Sequence, residues 1–280
     1  LTNPVFDYNN FSAMVGARWK PDEQSEIRGN YALGQRPPNP AELFSDGLHH
    51  SAARIELGDL RIGSETSHRF SLAYNRTAER WGMTIEPYAN YINDFILLEP
   101  TGVEFTIRGA FPVWSYRQTN ARILGIDLSG YYLWGTHWES RHQFSLTKGN
   151  DLGQDQALIN MPAPLTRNEV LFKKPAWNDL VIGLESTYVF RQNEFPPNIF
   201  VFSPSQQEIV ELEINTPPDA YHLLGLRADM AFSLTETLVL STGLTVNNLL
   251  NTRYRDYLNR NRYFADDLGR NIILQLKLSY

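Results

Sequence analysis

The sequence contains no cysteine among its 280 residues. Structural disulfides and thiolate metal sites are therefore excluded. It also lacks any stretch near the ~18 apolar residues that a transmembrane helix requires, and its mean hydropathy is −0.36. Helical membrane spans are excluded, but a β-barrel is not: alternation hides a barrel's membrane signal behind an average that looks soluble. Positive charge is in short supply, with 25 Lys and Arg against 31 Asp and Glu and a formal net charge of −6. Such an acidic balance argues against nucleic acid as a partner. Catalytic signatures are missing as well. No Gly-x-Ser-x-Gly, no His-Glu-x-x-His and no phosphate-binding glycine loop occurs, so the sequence reads as that of a non-enzyme. Leu1 is not followed by a basic n-region or an apolar h-region. For an exported protein, the expectation is a mature form or a fragment.

What the chain does have is alternation. Its last ten residues, NIILQLKLSY, place Ile272, Leu274, Leu276, Leu278 and Tyr280 in one set and Ile273, Gln275, Lys277 and Ser279 in the other. A strand sends these two sets to opposite faces. The same pattern, punctuated by Gly, Pro, Asn and Asp, predicts about eleven strands near 11–20, 25–36, 66–76, 81–98, 115–132, 136–148, 166–174, 180–192, 221–232, 237–248 and 270–280. Most are longer than the ~5–6 residues usual in globular strands and suit a tilted membrane strand of ~9–11 residues. Fourteen Tyr, fifteen Phe and six Trp would furnish two aromatic girdles.

The connections alternate in length. Short ones (PDEQ, AER, WGT, PAWND and LTET) are interleaved with long ones near 37–65, 99–114, 149–165, 193–220 and 249–269. A soluble sandwich has no reason for that order, whereas an outer-membrane barrel has short periplasmic turns and long outer loops. The predicted fold class is therefore all-β, a transmembrane antiparallel barrel. The apolar set of the last strand faces lipid and Gln275, Lys277 and Ser279 face the lumen.

Several stretches, in order, resemble the TonB-dependent outer-membrane receptors. They are Pro40, Glu42, Leu43 and Phe44, then Leu60, Glu65 and Ser67; EPYANYINDFILL at 86–98; YRQTNARILGIDLSGYY at 116–132, with Gly125 and Asp127; and LTVNNLLNTRYRDY at 244–257. The closing Leu276, Leu278 and Tyr280 resemble the terminal signal read by barrel-assembly machinery. The resemblance implies a plugged barrel of about 22 strands. Residues 1–280 would be its C-terminal portion, without the plug and the first barrel half. It also implies active import of a scarce nutrient, a metal ion or a metal chelate such as a siderophore, across a Gram-negative outer membrane. The implied partners are the TonB complex through the plug, the assembly machinery, outer-membrane lipid, the remaining barrel half and, as in glycan importers, a surface lipoprotein. No cofactor is implied; zinc or a ferric chelate would be bound as substrate. A passive porin, an adhesion or binding barrel, a glycan importer, a barrel hydrolase and a soluble all-β domain are the alternatives.

Two loop regions carry the candidate sites. In SDGLHHSAARIELGD, His49 and His50 offer imidazole, and Asp46 and Glu42, with Glu56 and Asp59 near, offer carboxylates. This segment resembles the zinc-uptake branch of the family. The bland alternative is solvated histidines bonded to backbone. In NTRYRDYLNRNRYFADDLGR, Arg255, Arg260 and Arg262 are candidates for an anionic ligand. The competing expectation there is a self-folded loop with Arg–Asp pairs to Asp256, Asp266 and Asp267. PPNIFVF puts Ile199, Phe200, Val201 and Phe202 in an outer loop. His68 is expected at the lumen wall, and His137, His142 and His222 as wall or girdle residues.

Overall fold

A computed structural model describes residues 5–280. Its strands are β1 (Ser12–Trp19), β2 (Ser25–Arg36), β3 (Asp46–His49), β4 (Arg54–Leu57), β5 (Glu65–Thr77), β6 (Trp81–Thr106), β7 (Gly109–Leu133), β8 (Trp138–Asp151), β9 (Gln156–Ala157), β10 (Leu165–Lys174), β11 (Leu180–Val189), β12 (Ile199–Ser203), β13 (Glu208–Leu212), β14 (Tyr221–Ser233), β15 (Val239–Asn247) and β16 (Asn271–Ser279). One helix, α1 (Pro40–Phe44), and one 3-10 turn (His50–Ala52) interrupt them. Eleven strands form an antiparallel meander in the order β1-β2-β5-β6-β7-β8-β10-β11-β14-β15-β16. Each predicted strand is present within about three residues of its expected bounds, except that β6 runs on past 98 to Thr106 and β7 begins at Gly109 instead of 115.

Alternation survives across the ladders. Phe172, Ile182, Ala228, Leu244 and Leu274 stand side by side on β10, β11, β14, β15 and β16. One residue along, Lys173, Val181, Asp229, Gly243 and Gln275 form the opposite row. The sheet thus has one apolar and one polar face. The apolar face is bare: Leu274, Leu276 and Leu278 are more than half exposed, and Tyr280 lies just beyond β16. The polar face is laced with ion pairs. Glu169 lies 3.2 Å from Arg227 and 3.6 Å from Arg141, which also meets Glu139 at 2.6 Å. Aromatic rings gather on the apolar side at the short-turn end, with Trp138 5.0 Å from Phe172 and Tyr132 4.7 Å from Trp134.

Three expectations change. The loop expected at 99–114 is instead the upper part of a long hairpin, whose strands of 26 and 25 residues run on to a turn at Ile107 and Arg108. Pro100 lies at a register irregularity, which is how a strand accommodates a residue without an N–H. The stretch PPNIFVF is not plain loop, because Ile199–Ser203 pairs with Glu208–Leu212 in a separate two-stranded sheet. His68 stands on the apolar face, not the polar one. It is paired in register with Leu33 and Tyr91, and the Tyr31 hydroxyl and His68 Nδ1 are hydrogen-bonded at 2.9 Å. The strand opens at Glu65, so the period of two assigns His68 to the same face as Phe70.

Hydrophobic packing concentrates at the long-loop end. Ile92, Leu97, Trp114, Ala121, Leu158, Ile159 and Ile214 form one buried cluster, and Leu43, Ile62 and Ile96 a second. The sheet itself contributes a different kind of fit. Tyr88 lies over Gly125, where an added Cβ would come within 2.2 Å of the ring, and its hydroxyl is hydrogen-bonded to Thr147 Oγ1 at 2.8 Å. Gly225, on the same face, would put a Cβ no closer than 3.6 Å to its neighbours. Gly125→Val is expected to unseat Tyr88 and cost about 1–3 kcal/mol, the usual range for overpacking. Gly225→Ala should change little. The fraction migrating as folded protein in unboiled gel electrophoresis, followed through a urea series, checks both; equal behaviour would refute the Tyr88 seat.

Candidate functional site

The long connections converge on a cavity of about 700 Å³. It is built on the upper part of the β6–β7 hairpin and closed by the β3–β4 connection, the β12–β13 hairpin and the last long loop. Ile96, Leu98, Val103, Trp114, Val201 and Leu212 provide much of an apolar wall. Strand β4 reaches this place by pairing parallel with β7, Ile55 opposite Val113 and Leu57 opposite Ser115. The β12–β13 hairpin packs through Ile199 and Leu212 onto the first hydrophobic cluster. At its base, Asn198 Nδ2 donates to Thr216 Oγ1 at 2.8 Å and Asn198 Oδ1 accepts from the Asn215 amide at 3.0 Å.

Three arginines, Arg54, Arg260 and Arg262, and one exposed carboxylate, Glu213, are the charged groups that line the cavity. Arg54 is buried and paired with Glu56 at 2.6 Å, and its guanidinium stands 4.5 Å from the centre of the Trp114 ring. Arg262 is 6 % exposed. Its guanidinium lies 4.7 Å from the Tyr257 ring and 4.4 Å from the Tyr263 ring, within cation–π range. It donates to the carbonyls of Tyr257 at 2.6 Å and Ile214 at 3.3 Å, but its Nε has no partner. Burial pulls the Arg262 guanidinium below its ordinary pKa. Arg260 is exposed at the cavity mouth. Among the described residues, neither Arg260 nor Arg262 forms an ion pair with a carboxylate.

The expected sets of site residues fare differently. Arg255 follows the self-folded expectation, donating to Asp266 at 2.7 Å and to the Arg262 carbonyl at 2.8 Å. Asp256 and Asp267 are engaged otherwise. Asp256 accepts from the Tyr221 hydroxyl at 2.8 Å, while Asp267 accepts from the Asp256 amide at 2.7 Å and from Asn259 Nδ2 at 2.8 Å. Only one of the three arginines is thus consumed by the loop's own acids.

His49 and His50 are exposed, and His49 Nδ1 lies 3.2 Å from Ser51 Oγ. The nearby carboxylates are bound to arginines of their own. Glu42 is held by Arg36 at 3.0 Å and by the Asn39 capping box, Glu56 by Arg54, and Asp59 by Arg61 at 2.7 Å. Asp46 is exposed at the start of β3, the end away from His49. Among the described residues, no three His, Cys, Asp or Glu side chains come together as a metal site. His142 and His222 are on the apolar face, bonded to Asn168 Oδ1 and Ser186 Oγ, each at 2.8 Å.

A family model described as TonB dependent receptor-like, β-barrel matches residues 2–249. The chain belongs to that family. Solved structures agree in fold. The copper transporter OprC superimposes with a TM-score of 0.74 at 18 % identity, over 96 % of this chain and 40 % of that one. The siderophore receptor PirA from Acinetobacter baumannii gives 0.65 at 15 %, over 96 % and 41 %. The FrpB iron transporter from Neisseria meningitidis gives 0.63 at 14 %, over 95 % and 38 %. The chain therefore spans about two fifths of these structures. No curated protein matches. The recognition from ordered strand motifs is borne out, and so is the all-β antiparallel fold. The family is one of transport receptors.

Sequence reasoning missed Arg54 and Trp114 as cavity residues. The alternation R-I-E at 54–56 puts Arg54 and Glu56 on one strand face, a usable sign of an ion pair. Nothing local places Trp114 beneath it. Tyr263 gives this site a pH signature. Its hydroxyl donates to the Ile214 carbonyl at 2.6 Å, and burial pushes it up to about 12. A raised pKa favours the folded loop below the unfolded tyrosine value near ~10 and loses that contribution as pH rises towards 12. The loop should therefore resist protease from neutral pH to about 10 and loosen above it. Tyr221, Tyr254 and Tyr257, also raised by burial, contribute to the same step, so Tyr263→Phe should shrink it without abolishing it; an unchanged profile would contradict the placement of the hydroxyl.

Proposed function

We propose that this chain is part of an outer-membrane receptor that captures a scarce nutrient in the loop cavity and imports it with TonB-transmitted energy. The cavity carries this reading. It lies at the long-loop end, which in such barrels is the outer one, and it has the size and apolar lining of a small-molecule site. Its unpaired arginines favour a metal held in an organic chelate over a bare cation. Guanidinium forks match carboxylate or phosphate-like oxygens and repel free metal ions. The apolar sheet face meets lipid and the ion-paired face lines the lumen. The rest of the barrel and the plug are supplied from outside these residues, together with the contact to TonB. A surface lipoprotein belongs to the glycan-importer alternative, for which no feature of the cavity speaks.

The bare-ion reading has one specific support, the similarity in fold to a copper transporter, together with the exposed His49 and His50. Zinc or copper calorimetry on the detergent-solubilised full-length receptor separates the two. The chelate reading expects the same metal heat from wild type and from the His49→Ala/His50→Ala variant. Micromolar binding lost in that variant would favour the bare ion.

Membrane placement has its own test. Leu184→Arg, on the apolar face, is expected to cost about 2–4 kcal/mol of folding stability in lipid vesicles, while Ser241→Arg, on the polar face, should be near neutral. Equal costs would refute the assignment of faces. For transport, cells expressing the full-length receptor should outgrow a deletion strain under metal restriction only when TonB is present. Growth that ignores TonB would favour a passive porin.

A further inference from the structure

The apolar face of the sheet carries one patch that hydrocarbon does not suit. His142 on β8 and Asn168 on β10 are paired in register, with His142 Nδ1 2.8 Å from Asn168 Oδ1. His142 Nε2 lies 3.2 Å from Ser140 Oγ, and Asn168 Nδ2 donates to Thr166 Oγ1 at 3.3 Å. Ser186 on β11 stands beside Asn168 in the same row, and Gly130 on β7 beside His142. This row is not at the rim of the face. Trp138 and Phe172, in ring contact at the short-turn end, are each four residues away along their strands. Four residues of a strand tilted by about 40° climb ~10 Å, well inside an apolar band ~25 Å tall. Around the patch the same face presents Phe144, Leu146, Val170 and Leu184. Polar side chains at such depth are rare and almost always meet protein, because lipid tails neither donate nor accept hydrogen bonds. The bonds within the patch do not use it up. His142 is exposed, and Asn168 Nδ2 has two hydrogens but one acceptor.

We infer that a second copy of the receptor packs on this patch, barrel against barrel within the membrane. The chemistry selects a second copy as the occupant. Imidazole, carboxamide and hydroxyl groups each donate and accept, so the patch is complementary to itself across a two-fold axis. No Asp, Glu, Lys or Arg belongs to it, so meeting its own image brings no like charges together. Gly130 and Ser186 flank the polar pair, and small residues let two backbones approach closely enough for side chains to bond across the contact. The inference rests on the placement of the apolar face in lipid and not on which nutrient is carried.

The test uses the full-length receptor. Two differently tagged copies are co-expressed, and wild-type copies are expected to co-purify from the cell envelope in mild detergent. Ser186→Cys copies should form a disulfide-linked pair when intact envelopes are oxidised, while Leu274→Cys, on the same face of β16, should not. In lipid vesicles, energy transfer between labelled copies reads the association directly. His142→Leu/Asn168→Leu is expected to weaken it at least about tenfold, the effect of losing several hydrogen bonds across a contact in lipid. That variant suits hydrocarbon better than the wild type does, so unboiled gels should show its barrel folded; His142→Leu alone serves where the double variant fails to fold. A wild type that stays monomeric in envelope and vesicles, with lipid alone over the patch, overturns the pairing. Association unchanged in the leucine variants overturns it too, as does Ser186→Cys linking only to a different envelope protein. A monomer in which Leu184→Arg still costs more than Ser241→Arg loses the pairing alone. Equal costs of those two remove the membrane placement on which the pairing rests.

Discussion

Everything at the long-loop end leans on one hairpin. Strands β6 and β7 are 26 and 25 residues long, more than twice the ~9–11 residues that a tilted membrane strand needs. Their lower parts belong to the meander. Their upper parts stand clear of it, and there β4 finds a pairing partner, the β12–β13 hairpin finds a hydrophobic floor and Trp114 becomes one of the most buried side chains. Loops of such length cost conformational entropy to order. Here the cost is offset because they share a scaffold and a common apolar cluster instead of folding singly.

The lower part obeys a simpler constraint. Each strand of the meander pairs with its neighbour along the chain path, so backbone groups are satisfied locally and the side-chain period of two is carried from ladder to ladder. One face becomes apolar and exposed, the other a lattice of Arg–Glu pairs centred on residues such as Glu169. In water such a bare apolar face would drive aggregation; in lipid it is the required surface.

Arginine pairing governs the chemistry of the upper part. Of the carboxylates near His49 and His50 in sequence, Glu42, Glu56 and Asp59 are claimed by Arg36, Arg54 and Arg61, and Asp46 is exposed at the far end of β3, which leaves the histidines to solvent. In the last loop the opposite happens. Asp266 alone meets an arginine, Asp256 and Asp267 are spent on hydroxyl, amide and backbone donors, and Arg260 and Arg262 are left without a carboxylate partner. Net polarity at the candidate site thus depends on which acid folds back onto which donor, a matter settled over separations of tens of residues.

Strand positions, the two faces and the family were legible in the chain alone because each depends on local alternation and on turn residues close in sequence. Gln275 and Lys277 against Leu274 and Leu276 already state the division of the last strand. Even His68, assigned to the wrong face, was misread only through the phase of its strand, not its existence. The cavity was not legible. Trp114 under Arg54, Tyr263 against Ile214 and the presence of Val201 and Leu258 in the lining of one cavity join segments that no local period relates. Their meeting depends on a hairpin that outgrows the membrane span and on a parallel pairing between β4 and β7. The sequence by itself determined a two-faced antiparallel meander, since backbone pairing and a period of two need only neighbours. Tertiary structure alone decided which charges stay unpaired, because that outcome depends on contacts between distant loops.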